Sequence, residues 1–513
     1  MTARRPRWWE RLNRSLFPYI GPPPLGPYGE APLPPTGPKA CPLCGQAMSL
    51  HVIERSGGNV STRLHARVER LTCRREVPAL TSCYADPGCG FSYCTSVDLQ
   101  YSQRGKRSDH WRDMQDTSPN YRGYRSFDYL EPQTDFKVFD LAPELGRVPE
   151  YDLGLTEEQA TRVTRILADN HVISLHEHPK ILTIDPHQLR EYNHTGRNAM
   201  GYEGLAKSGM SALFDNFMNG TNCVTSEHGW KWNDVVYDLG LRFADIAKQD
   251  YVVLVRTVAE LEKAKADGRV GLVAGLEAAT MIENELDRLD ILYGLGVRQM
   301  GIAYSMANQL GSGLSEPQDG GLTTFGHKAV ERMNKLGIAI DISHSSDRTS
   351  LDVINASSVP VFITHAGARA VWPTNRMKPD EVIVACAARG GVIGLEAAPH
   401  TTLSEGHPHH SIESVMDHFR YCADLVGIDH VAFGPDTNFG DHVGLHDSFS
   451  GHLTIGQAHG HVDYPKVPYV AGMENPAENF TNIVGWLVKN DYAEDAISKA
   501  IGSNILRVLK EVW

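Results

Sequence analysis

From about Leu155 onward the chain alternates between two patterns of apolar and polar positions. Helical spacing comes first: Ala160, Val163, Ile166 and Leu167 recur on one face, behind the Thr156/Gln159 pair of a capping box. A short apolar run, His171-Val172-Ile173-Ser174-Leu175, follows and ends at His176. Seven further short runs read as strands, at 251–256, 270–277, 299–304, 339–344, 361–365, 391–395 and 430–436. Between them, 258–266, 284–293, 326–336, 348–355, 379–387 and 412–426 have helical spacing. Eight strands alternating with helices predict an α/β fold of the (β/α)8 barrel type. An open doubly wound sheet is the competitor, but no Gly-x-Gly-x-x-Gly turn follows an early strand.

The front of the chain follows neither pattern. Residues 15–40 are rich in Pro and Gly (Gly21-Pro22-Pro23-Pro24, Pro34-Pro35-Thr36-Gly37-Pro38), which predicts an extended arm over 1–40. A Cys-rich module is expected over 41–150, its last third polar and aromatic and serving as a cover or connection, with the barrel over 151–513. Cys41-Pro42-Leu43-Cys44-Gly45 has the shape of a zinc knuckle. Cys89 and Cys94, five positions apart, are a looser second pair; Cys73, Cys83, His51 and His65 are further donors. The expectation is one structural zinc on Cys41, Cys44, Cys89 and Cys94. Reduced cysteines in an irregular module are the alternative.

Composition narrows the field. A formal charge of −13 argues against general nucleic-acid binding. No apolar run reaches the ~18 residues that span a bilayer. The basic start, Arg4-Arg5-Pro6-Arg7-Trp8-Trp9, has no apolar stretch behind it and fails as an export signal, so a cytoplasmic location is expected. Thiol or metal chemistry then outranks disulfides for the cysteines.

In a barrel of this type, reactive side chains sit at the C-terminal ends of the strands. His176 and His178 end the first predicted strand, Glu277 the third, Tyr304 the fourth, His344 the fifth, His365 the sixth and Asp436 the eighth. Residues two apart on a strand point to one side, so both rings of His176 and His178 can reach one cation. An isolated His-x-His is more often two polar residues leaving a strand. Loop starts, however, draw mostly Gly, Asn, Asp, Ser and Pro. Four His, a Glu and an Asp at these ends make a metal cluster the better reading.

From Leu155 to Trp513 the chain also resembles the renal, or membrane, dipeptidase family of binuclear zinc hydrolases in the amidohydrolase superfamily. The resemblance rests on ordered segments: Gly275-Leu276-Glu277, Ser315-Glu316-Pro317-Gln318, Asp341-Ile342-Ser343-His344, Thr364-His365-Ala366, Asn375-Arg376, Phe433-Gly434-Pro435-Asp436 and Asn504-Ile505-Leu506-Arg507. It implies that His176 and His178 bind one metal, that His344 and His365 bind the second, and that Glu277 bridges them. It also implies that Asp436 shuttles the proton of a shared water and that Arg376 holds a substrate carboxylate. Two cations sharing a water bring its pKa down toward ~7, and zinc suits imidazole and carboxylate donors. A homodimer is implied by the resemblance as well. The Cys-rich front lies outside it.

Two positions depart from the family pattern. His178 stands where the family has Asp, which raises the site's charge by one. Tyr304 stands where the family has a His that donates to the developing oxyanion; a phenol donates the same bond, with a different reach and pKa. A His-rich stretch after the eighth strand (His442, His446, His452, His459, His461) is expected to lid the pocket and set substrate choice.

The expected activity is metal-dependent hydrolysis of an amide bond in a dipeptide or similar small molecule. The alternatives are another N-acyl amide, lactam or lactone as substrate, or a zinc-binding scaffold that keeps a degenerate barrel.

Overall fold

The structure, a computed structural model, describes residues 51–55, 62–66, 120–460 and 462–513. The first two segments form an antiparallel hairpin, β1 (His51–Arg55) and β2 (Thr62–Ala66), within a unit spanning Met1–Gln103. The predicted arm and the candidate zinc ligands Cys41, Cys44, Cys89 and Cys94 lie outside the described residues.

In the second unit, Arg104–Trp513, a parallel barrel runs through β3 (Ile173–Glu177), β4 (Ala212–Met218), β6 (Val270–Leu276), β7 (Val297–Gly301), β8 (Ala339–Asp341), β9 (Phe362–Ala366), β10 (Val392–Leu395) and β11 (Val431–Phe433). Each strand is parallel to the next. Every residue in these strands is buried, because helices cover the sheet and side chains fill its interior. The ring closes between its first and last strands through Asp436 N–H donating to His176 O, 3.0 Å, and His178 N–H donating to Thr437 O, 3.0 Å. Three candidate site residues, His176, His178 and Asp436, thus contribute to closure.

One strand differs from the sequence reading. The run at 251–256 is expected as the second barrel strand, and the structure gives that place to β4. Val252–Leu254 becomes a short extra strand, β5, paired only with the first residues of β6. The run of β4 (Ala-Leu-Phe-Asp-Asn-Phe-Met) is broken by Asp215 and Asn216, which looks polar from sequence. Both are fully buried. Asp215 is ion-paired with Arg242 of helix Trp232–Ile246, whose guanidinium lies 4.0 Å from the Phe217 ring centroid. A buried charge is tolerated where it is paired, and here the partner comes from a distant helix.

The predicted first helix forms over Glu157–Asp169. Thr156 Oγ1 accepts from Gln159 N, 3.2 Å, and Gln159 Oε1 accepts from Thr156 N, 3.0 Å, so the capping box is complete. Its inner face buries Ala160, Val163 and Ile166; the two larger side chains contribute roughly 1.5–3 kcal/mol each. The stretch from Asn120 to 150 has little regular structure, and one of its anchors is a buried carboxylate. Asp245 accepts from Tyr124 Oη (2.6 Å), Ser126 Oγ (2.8 Å), Phe127 N (2.7 Å) and Tyr202 Oη (3.0 Å). The C-terminal helix Asn504–Val512 shares a hydrophobic cluster with Phe214, Val273, Phe362 and Ala432 of the barrel strands.

Among the described residues, no helix is long and apolar enough to cross a membrane.

Candidate metal centre

The C-terminal ends of the strands bring the expected residues together. His176 lies within β3 and His178 one residue beyond it; Glu277 is the first residue after β6. His365 lies within β9. His344 and Asp436 each stand three residues past their strands. Asp436 has a left-handed backbone, φ +59°, which Asp adopts more readily than most residues.

Six side chains form two triangles. In the first, His176 Nε2 is 3.1 Å from His178 Nε2 and 3.3 Å from Asp436 Oδ1, and His178 Nε2 is 3.1 Å from that same oxygen. In the second, His344 Nε2 is 3.0 Å from His365 Nε2, and both are 3.3 Å from Glu277 Oε1. Glu277 Oε1 also lies 3.7 Å from His176 Nε2, so it stands between the two.

Burial pushes the pKa of His176, His344 and His365 down, which leaves their rings neutral. Burial, then the charge of Asp436, pushes Glu277 well above the usual carboxylate range. Burial acts in the same direction on Asp436, but its contacts with His176 and His178 outweigh it and hold that carboxyl well below its usual range.

A single proton can bridge one edge of such a triangle and leaves the other edges facing lone pair to lone pair. A tetrahedral ion with bonds of ~2.0–2.1 Å needs donor–donor edges of roughly 3.3 Å, the size of these edges. The donor set fits two divalent cations.

The outer ring nitrogens are held as well. The Asn216 amide of β4 lies 2.9 Å from His176 Nδ1, the Asn219 amide 3.4 Å from His178 Nδ1, and Thr364 Oγ1 2.8 Å from His365 Nδ1. His344 Nδ1 has no partner, and the Tyr304 ring is stacked on that imidazole with centroids 4.0 Å apart. Burial, reinforced by Glu277 and Asp436, pushes the Tyr304 phenol well above its ordinary value, so it remains a donor.

Arg376 is buried beside the second triangle. Its Nη2 donates to His365 O, 3.0 Å, and is ion-paired with Glu396, the first residue after β10. A small cavity of about 30 Å³ opens on the centre. His178, Glu277, Tyr304 and Asp436 line it, together with His442 and His446 of the His-rich stretch. The His-rich stretch is partly helical: His442–Ser448 and Ile455–His459.

Three residues escaped the sequence reading. Asn216 and Asn219 went with the misplaced second strand. Glu396 follows the strand predicted at 391–395, and the rule that selected Glu277 would have selected it too.

Comparison with known proteins assigns the family. The model of the membrane dipeptidase family, peptidase family M19, matches residues 161–455, more than half the chain. The chain belongs to that family. Among curated relatives of this M19 member, a dipeptidase of Aspergillus oryzae, aclJ, is 27% identical over 51% of this chain and 57% of its own length. A dipeptidase of Clonostachys rogersoniana, verJ, is 28% identical over 54% and 63%. The matched stretch thus spans less than two thirds of either relative. Among solved structures, an amidohydrolase from Pseudomonas aeruginosa aligns with TM-score 0.57 and 26% identity, covering 68% of this chain and 99% of that one. A metallopeptidase from Rhodobacter sphaeroides, liganded with a phosphinate mimic of L-Ala-D-Ala, aligns with TM-score 0.52 and 20% identity over 67% and 100%, a likeness of fold. M19 membership implies divalent-metal binding.

Proposed function

We propose that this M19 protein is a metal-dependent hydrolase that cleaves the amide bond of a dipeptide or dipeptide-like small molecule. The observation that carries the reading is the pair of triangles sharing Glu277 between them. His176, His178 and Asp436 would hold one cation, His344 and His365 the other, with Glu277 serving both. Two divalent ions, zinc by the chemistry of the donors, would supply an acidified water and a Lewis acid for the scissile carbonyl.

The remaining work falls to the chain. Asp436, kept ionised by its neighbours, is placed to take a proton and deliver it to the departing amine. Tyr304, kept protonated, donates toward the carbonyl oxygen as charge develops there. His442 and His446 line the cavity beside the reacting centre.

His344→Ala tests this directly. Metal analysis should show one equivalent lost from two, and hydrolysis of a dipeptide panel should fall with it. A variant that keeps both metals, or stays active, refutes the assignment. A cyclic or N-acyl amide, lactam or lactone is the second reading. It is favoured by Tyr304 and by the Arg376–Glu396 pair, which changes what Arg376 can bind. The scaffold alternative gives no reason for six donors to converge.

A further inference from the structure

Arg376 and Glu396 are both buried, with 5% and 0% of their surface exposed. One Nη of the arginine contacts one oxygen of the glutamate. The other atom of each fork, Arg376 Nη1 and Glu396 Oε1, is buried without a hydrogen-bond partner. A Glu396 carboxylate oxygen also lies within 4.8 Å of a His365 ring nitrogen and an Asp436 carboxylate oxygen. The pair therefore borders the reacting centre with one spare donor and one spare acceptor.

An unpaired arginine here would be a carboxylate receptor, because its planar fork matches two oxygens. Glu396 changes that. A substrate carboxylate offers only acceptors. It must either displace Glu396 from Arg376, stranding a buried polar group, or accept from an arginine fork that Glu396 and His365 O already half occupy. A neutral amide has an acceptor and a donor on neighbouring atoms. Its C=O accepts from Arg376 Nη1 while its N–H donates to Glu396 Oε1, and both unpartnered atoms are satisfied.

We infer that the Arg376–Glu396 pair sets substrate choice by selecting an uncharged amide in place of a free carboxylate, as in a dipeptide C-terminal carboxamide or a cyclic dipeptide. The inference rests on the hydrolase reading for its substrate but stands on the pair for its charge preference.

The test uses the full-length, zinc-loaded protein with a dipeptide and its C-terminal carboxamide, together with the matching phosphinate mimics. Both kcat/KM for the peptides and Kd for the phosphinates, by calorimetry, should favour the carboxamide at least tenfold. In Glu396→Gln the preference should move at least tenfold toward the free acid, through KM more than kcat, with metal content unchanged. A wild type that takes the acid equally well overturns the inference. So does an unchanged ratio in the variant, or the loss of a metal equivalent from it, which would make Glu396 a ligand. If neither peptide is turned over while the carboxamide phosphinate binds tighter, the hydrolase reading fails and the charge preference stands. Should Glu396→Gln not fold, the wild-type preference decides alone.

Discussion

Two regions of the molecule bury histidines in opposite ways. On the barrel flank, His418 sits fully buried in helix Ile412–Val426. Its Nδ1 accepts from Ala368 N, 3.0 Å, and its Nε2–H donates to Leu403 O, 2.8 Å. Both ring nitrogens are satisfied by backbone, and the ring works as a neutral spacer. At the mouth, His344 and His365 are as deeply buried but aim Nε2 at each other, 3.0 Å apart, with Glu277 Oε1 at 3.3 Å from both. Burial alone therefore says nothing about function. Convergence of unsatisfied acceptors is what marks a cation site.

The largest separation should come from truncating one histidine of each kind. His344→Ala should remove a cation and lower kcat/KM by roughly a thousandfold or more, since a general electrostatic stabiliser of this kind is worth ~10²–10³ and the second ion adds to it. His418→Ala should leave metal content and kcat/KM near wild type and lower unfolding stability by about 2–4 kcal/mol, from lost packing and two unpaired backbone groups. Metal analysis, kinetics and urea unfolding read both. Metal loss in the His418 variant would break the distinction.

Next in size is the effect of the cations on stability. A ligand that binds only the folded state at a thousand times its Kd adds about 4 kcal/mol. Chelation should lower the unfolding free energy of wild type by that order for each of two cations, and that of His344→Ala by about half as much, since it keeps one. Equal sensitivity in both proteins would show that His344 is no ligand.

This contrast also explains what sequence could and could not reveal. His176, His178, His344, His365, Glu277 and Asp436 stood out because each follows an apolar run, and the end of a barrel strand is a fixed place in space. The flank histidine gave no such signal, since its partners are backbone atoms at Ala368 and Leu403. The second strand was illegible because Asp215 is tolerated inside the barrel only through Arg242, 27 residues further on. Glu396 was legible at its strand end, but its meaning depends on Arg376, which approaches from a loop. In each case the hidden part is a pairing between elements, and local pattern carries no record of the partner.

A pH titration separates the two regions further. Burial lowers the His418 pKa to about 4 from an ordinary 6.5. Between those values the unfolded chain binds a proton that the folded one refuses, so the stabilising term present above pH 6.5 is lost as pH falls toward 4. The loss should reach ~3 kcal/mol. Comparing wild type with His418→Gln by urea unfolding at pH 7 and pH 4 isolates it. The dependence at the flank should not move with metal concentration. Mouth imidazoles, which exchange protons for cations, should titrate at a pH that shifts with added metal. A His418 term that tracks metal would collapse the contrast.

The smallest effect concerns how a mouth histidine is kept ready. For His176 to offer its Nε2 lone pair, Nδ1 must carry the proton, and something must accept it. The Asn216 amide nitrogen is 2.9 Å away, and its Oδ1 has no partner. With that oxygen turned onto Nδ1–H, the tautomer is fixed and the ring is aimed at Asp436 and His178. Asn216→Leu keeps the volume and removes the acceptor. It should weaken the first cation by 10–100-fold, as loss of such outer partners commonly does, and leave the His344/His365 cation in place. Competition with a chromophoric chelator measures both affinities. Equal weakening of the two would mean that Asn216 serves the packing of β4 and not the ring, and that the mouth histidines are held by burial as His418 is.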